Sequence, residues 1–264
     1  MRGFLVTLLV LVVLLVGADF GARWIAEDRV ATQLQSQLKL DAKPSVDIHG
    51  FPFVTQAVAG EYGSVTLTAE HIRYRQLRDV TLVADLGDVT LPARSLIDGT
   101  VRSIPAKTVT ASAQVDPTDL ARVLGVADVT VAPVTQETLD ARRASGSTAQ
   151  KALSGVDPSQ AVALTSTTTV LGQQIRASVI ATFKLSGGQI VLSARDISVD
   201  GGDSSGAVPS AVSSALRGRL SGFSARVDPG ALPFSITATD LRAQDGKLVV
   251  SGTAKDVDLL GGSL

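Results

Sequence analysis

From Ile175 to Leu185 every second residue is apolar: Ile175, Ala177, Val179, Ala181, Phe183 and Leu185. The positions between them are Arg176, Ser178, Ile180, Thr182 and Lys184. A period of two marks a strand with one buried and one wet face, because successive side chains leave a strand on opposite sides. Gly187-Gly188 then turns the chain into Gln189–Ala194, which reads as a hairpin. Three more stretches alternate in the same way: Val65, Leu67 and Ala69; Val80, Leu82, Ala84 and Leu86; Val109, Ala111, Ala113 and Val115. A chain patterned like this is committed to antiparallel sheet with one solvated face.

The alternation also breaks in a regular manner. Gly63–Ala69, Gly188–Ala194 and Gly246–Gly252 each begin with a turn glycine, run through alternating apolar residues, and end on a hydroxyl and a small residue. After each, the apolar phase slips, to Ile72 and Tyr74, to Ile197 and Val199, and to Val257 and Leu259. A slip in a period-two pattern predicts a bulge or bend, which curls a sheet. Phe51-Pro52-Phe53 precedes the first copy and Leu232-Pro233-Phe234 the third, each after a short strand (Ser45–Ile48, Phe223–Val227) and a long amphipathic helix. The order helix, strand, aromatic-proline corner, hairpin thus occurs twice. Helical spacing appears at Ile25, Val30, Leu34 and Leu38, stopping before Pro44, and at Val212, Leu216 and Leu220. A short helix is expected after Asp116, with Asp as N-cap, Pro117 at the first position and Gly125 at the end. Residues 136–160 are polar and Ala/Ser-rich, with sparse apolar residues at Leu139, Leu153 and Val156, and read as a partly helical connector between two halves.

At the N-terminus, Arg2 precedes Phe4–Ala18, an apolar run broken only by Thr7. A charged start followed by a membrane-seeking segment sends the remainder, residues 19–264, across a membrane. The run is short for a span, which takes about 17–25 residues, and Val16-Gly17-Ala18 has the small-residue character of a cleavage site. The segment 1–18 is a signal peptide or an N-terminal anchor; an anchor requires Asp19 to sit at the interface so that the run reaches Phe20. The expected location is the periplasmic or cell-envelope space. Trp24 lies where an interfacial anchor belongs.

Composition removes several function classes. Lys plus Arg number 24 against 25 Asp plus Glu, so no basic face is advertised and nucleic acid is not an expected partner. Cysteine is absent, which excludes disulfides, thiolate catalysis and cysteine metal sites. Gly202-Asp203-Ser204-Ser205-Gly206 fits the pattern of a nucleophile elbow, but the only histidines, His49 and His71, lie upstream of Ser204 rather than after it. Asp196–Gly201 starts like a calcium loop, yet the twelfth position is Ala207 rather than a bidentate Glu. Arg73, Arg75 and Arg78 form a basic stretch that either meets a phosphate headgroup or is a solvated strand face.

Pro44-Ser45-Val46-Asp47-Ile48-His49-Gly50-Phe51-Pro52-Phe53-Val54-Thr55-Gln56, with Gly60-Glu61-Tyr62, resembles the opening of the LmeA-like phospholipid-binding family of actinobacterial cell envelopes. Leu232-Pro233-Phe234 through Leu248–Gly252 resembles its C-terminal part. The resemblance implies an exported or membrane-anchored β-rich protein that binds phospholipid and supports envelope glycolipid or lipoglycan assembly. It supplies no catalytic motif.

The expected fold class is α+β: a long curved antiparallel sheet wrapped around amphipathic helices, in a lipid-binding tubular (TULIP-like) architecture of two pseudo-repeated halves. The expected function is non-enzymatic binding of phospholipid, with acyl chains held in an aliphatic groove for lipid transfer or envelope assembly. Candidate lining residues are Leu34, Leu38, Phe51, Phe53, Leu216, Leu220 and Phe234. For Phe51, Phe53 and Phe234 the competing reading, that the rings fill the core, is the commoner use of Phe. Expected partners are phospholipid and the outer surface of the cytoplasmic membrane, with envelope-biosynthesis proteins as candidates; no catalytic residue, metal or cofactor is implied. The rival readings are an envelope scaffold without a lipid ligand and a serine hydrolase using Ser204.

Overall fold

The computed structural model describes residues 2–74, 77–98, 101, 103–124, 126, 128–170, 173–186, 189–201, 224–227, 236 and 238–260. The fold is mixed α+β, and its strands divide between two sheets. One is six-stranded in the order β1 (Ser45–His49), β2 (Glu61–Tyr74), β3 (Leu77–Thr90), β4 (Pro105–Val115), β11 (Lys247–Asp258), β10 (Ala238–Gln244). The other is an antiparallel meander of β5 (Thr130–Pro133), β6 (Ala161–Val170), β7 (Gln173–Ser186), β8 (Gln189–Gly201) and β9 (Ser224–Val227). The chain packs as two units built from separated stretches: unit 1 from Met1–Ile72, Thr81–Ala111 and Thr253–Leu264, unit 2 from Arg73–Val80 and Ser112–Gly252.

In unit 1 a single helix, α1 (Arg2–Leu38), runs unbroken from the apolar N-terminal run into the folded domain. The side chains of residues 3–15 are exposed, whereas Ala26, Val30, Ala31 and Leu34 are buried. Three- and four-residue spacing places these four on one stripe. Polar contacts fix that half of the helix: Glu27 Oε1 accepts the Ile48 amide at 2.8 Å and the Arg23 Nε–H at 2.7 Å, and Gln37 Nε2 donates to the Val101 carbonyl at 2.9 Å.

After β1 the chain turns through the aromatic-proline corner. Gly50 has φ +104°, where a Cβ would lie 2.7 Å from the Gln56 side chain, and the Phe51–Pro52 peptide is cis. A short helix, α2 (Phe53–Ala59), follows that the sequence pattern does not announce. Gly60 closes it at φ +72°, in the left-handed region that glycine enters without steric cost, and its carbonyl accepts the Leu91 amide at 2.9 Å. A second short helix, α3 (Ala93–Asp98), also belongs to unit 1.

Where the apolar phase slips, the backbone departs from regular strand geometry. His71, late in β2, has φ +58°, and Asp256, late in β11, has φ +52°. In β8 the register against β7 jumps between Ile180 and Ala181, which face Asp196 and Ala194 and leave Arg195 as the extra residue. These are features of individual strands; the second helix-and-corner series expected at 209–234 lies outside the described residues apart from 224–227.

In unit 2, α4 (Pro117–Leu124) begins as expected at Asp116, whose backbone carbonyl accepts the amides of Asp119 and Leu120. The Asp116 side chain instead pairs with Lys247 at 3.1 Å. The polar stretch 136–160 forms α5 (Gln136–Ala144), α6 (Ser147–Ala152) and a 3-10 turn at Pro158–Gln160. Its sparse apolar residues anchor it: Leu139 and Leu153 are fully buried in a cluster with Val134, Ala161 and Ile180, and Val156 packs against the edge. Thr135 caps α5 by accepting the Thr138 amide at 3.1 Å.

Candidate functional site

Within unit 1, α1 lays Val30 and Leu34 over the inner face of the sheet, and a small space remains between them. Its walls are Val30 and Leu34 from α1, Val46 and Ile48 from β1, Tyr62, Val65 and Leu67 from β2, Leu86 and Val89 from β3, and Leu91 and Ile104 beyond the strand ends. The exposed lining is wholly apolar and the free volume is about 30 Å³. That is about the share of one water molecule, whereas pockets for drug-sized ligands run to about 300–1,000 Å³. The site is thus a narrow aliphatic seam. Chain methylenes are the chemistry it would accept, since no polar atom is exposed in its lining to orient a charged ligand.

Tyr62 is the one wall residue with a polar tip. Its ring packs on Phe53 with centroids 6.1 Å apart, and its hydroxyl is buried without a hydrogen-bond partner among the described residues. Burial pushes its ionisation above the ordinary tyrosine value.

The sequence-predicted lining residues separate. Leu34 lines the seam and Leu38, one turn on, is half-buried. Phe53 is buried in the core, whereas Phe51 is exposed and stacks on Phe20 at 6.4 Å between ring centroids. Leu216, Leu220 and Phe234 lie outside the described residues, as does Ser204. The spacing of the seam's remaining walls gave no sign of them, because core and ligand wall use the same aliphatic side chains.

The alternative chemistries find no arrangement among the described residues. His49 pairs with Ser64 across β1 and β2, and His71 lies seven residues further along β2, so the two are about 20 Å apart at strand rise. The His49 Nε2 contacts the Thr66 hydroxyl at 3.0 Å. Asp196–Gly201 is not a loop: it is β8, in register with Ile175–Ile180 of β7, and Asp196 is paired with Arg142 at 3.3 Å. A strand spreads alternate side chains to opposite faces and so does not gather them round an ion. Among the described residues no group of three or more His, Asp or Glu side chains is placed to hold a metal. A polar depression of about 200 Å³ includes Asp88, Lys107, Asp256 and Asp258. Asp258 has a structural use there, accepting the Ile104 amide at 2.9 Å and the Ser103 hydroxyl at 2.6 Å.

Of the basic stretch, Arg75 lies outside the described residues, and the backbone at Arg78 has a structural contact. In unit 2 the amides of Arg78 and Asp79 donate to Asp119 Oδ2 at 2.6 and 2.7 Å, and the Arg122 guanidinium contacts the other oxygen. Burial raises the Asp119 carboxyl, but the two amides and Arg122 together outweigh it and hold the group below its ordinary value.

The family model for LmeA-like phospholipid-binding proteins matches residues 17–253, and the chain belongs to that family. The family is described as phospholipid-binding. No curated protein and no solved structure matches the chain.

Proposed function

We propose that this protein is a non-enzymatic phospholipid binder of the cell envelope, exported or anchored by α1, which takes acyl chains between α1 and the sheet of unit 1. The observation that carries this reading is the wholly apolar seam beneath Val30 and Leu34, in a chain of a phospholipid-binding family. At about 30 Å³ the seam admits no acyl chain unless α1 moves. Lifting Val30 and Leu34 off the sheet exposes two aliphatic side chains at about 1.5–3 kcal/mol each and gives up the Glu27–Ile48 and Gln37–Val101 hydrogen bonds at about 0.5–1.5 kcal/mol each, which about five to eleven buried lipid methylenes at about 0.8 kcal/mol each offset. The helix is then the movable wall, and lipid substitutes for its side chains. Support for envelope glycolipid or lipoglycan assembly, by lipid transfer or by contact with biosynthetic proteins, is the role this binding serves.

The small volume also favours a second reading, in which the seam is simply core and the protein is an envelope scaffold. Uptake of a pyrene-labelled phosphatidylglycerol from vesicles separates the two. Loss of pyrene excimer emission on adding protein, reduced severalfold by Val30→Phe, supports lipid binding. Unchanged excimer emission with a folded protein favours the scaffold.

A further inference from the structure

α1 carries one charge between Phe4 and Ala22, at Asp19, and the fold hides it. Asp19 is 7% exposed, and its two carboxylate oxygens accept the amides of Phe53 and Val54 at 2.9 and 2.8 Å. The helix surface offered to the surroundings is therefore apolar beyond Ala18. From Phe4 to Phe20 it measures about 25 Å at 1.5 Å per residue, within reach of the roughly 30 Å hydrocarbon layer.

At that end of the run, large apolar side chains gather on the surface. Phe20 and Trp24 are one helical turn apart and share a face of α1. Phe51 stacks on Phe20, and α2, held to α1 through Asp19, exposes Val54 and Val58 one turn apart. Trp24 is 69% exposed, Phe51 62% and Val58 82%. Trp24 lies about 6 Å along the axis beyond Phe20, the depth at which tryptophan collects at membrane interfaces. Arg23 beside it is tied to Glu27 at 2.7 Å.

We propose that α1 is retained as a membrane span and that Phe20, Trp24, Phe51, Val54 and Val58 form a ridge that seats unit 1 in the headgroup boundary of the leaflet α1 emerges from. The occupant of this apolar surface is the phospholipid bilayer, because the ridge continues the apolar face of α1 at the level where the span ends. None of the five residues lines the aliphatic seam, so the inference stands apart from lipid uptake.

Trp24 is the sole tryptophan, which makes the test direct. The full chain is isolated from membranes for intact mass and reconstituted in phosphatidylglycerol vesicles with acyl chains brominated near the glycerol. Retention predicts a mass that includes α1 and loss of most Trp24 emission in brominated vesicles. A second protein, Trp24→Phe with Val58→Trp, moves the probe to α2. A seated ridge predicts comparable quenching by brominated lipid there, with little quenching by acrylamide. A mass beginning at Asp19 overturns the proposal, and so does a probe at position 58 that acrylamide quenches and brominated lipid does not.

Discussion

The Phe53 amide donates to the Asp19 carboxylate at 2.9 Å across thirty-four positions of sequence. This contact ties the helix that leaves the apolar run to the corner that opens the sheet. It also starts α2, whose N-cap, Pro52, supplies no side-chain cap. Asp19→Ala leaves the amides of Phe53 and Val54 without their acceptor, at a cost of about 1–3 kcal/mol. Denaturant unfolding of the full chain in detergent is expected to show that loss, with Asp19→Asn losing less because its amide oxygen still accepts. An alanine variant as stable as wild type contradicts the capping role.

Val30 faces the seam, and its free volume of about 30 Å³ is close to that of one methylene. Val30→Leu therefore fills space rather than crowding neighbours, and stability is expected to rise by about 0.5–2 kcal/mol. If lipid enters by displacing α1, the same variant takes up phospholipid more weakly. Higher stability with undiminished uptake places the lipid elsewhere.

The strands were legible because their chemistry is local. Val109, Ala111, Ala113 and Val115 alternate in sequence and are all buried in β4. The phase slip after Ala194 marked the bulge at Arg195, and those after Ala69 and Gly252 fall beside the positive-φ residues His71 and Asp256, since a period-two pattern changes phase when the backbone shifts by one residue. α2 was not legible. Its stretch Phe53–Ala59 contains three β-branched residues, and its cap comes from Asp19 in another element. The seam was illegible for another reason: Leu34 is chemically the same whether it meets Val65 or an acyl chain. Leu139 and Leu153 are sparse in sequence, and both are fully buried in the cluster that holds their stretch.

Asp119 gives unit 2 a defined acid sensitivity. Its folded carboxyl titrates below its ordinary value, so its contribution is fully present above about pH 4 and is lost as the pH falls through the folded value. Urea unfolding of the full chain between pH 5 and pH 2 is expected to show stability falling in that window. Asp119→Asn has lower stability at neutral pH and a shallower fall with acid. An identical acid slope in wild type and variant contradicts the assignment.

Tyr62 is held by its ring rather than its hydroxyl. Tyr62→Phe removes a buried hydroxyl without a partner among the described residues, so stability is expected to stay level or rise. Ultraviolet titration of the wild type should show a tyrosine ionising above the ordinary value, absent in the variant. Because the folded value is raised, this group favours unfolding only above about pH 10. A marked loss of stability in Tyr62→Phe means the hydroxyl has a partner that matters.

The central claim, that the seam of unit 1 exchanges helix side chains for acyl chains, is tested most directly by native mass spectrometry of the full chain ejected from detergent micelles. Wild type is paired with Val30→Phe, and lipid extraction identifies the adduct. The account predicts a phospholipid bound one to one on wild type and lost from a Val30→Phe protein that remains folded. A bare wild-type chain, or an adduct of equal strength in both proteins, contradicts it.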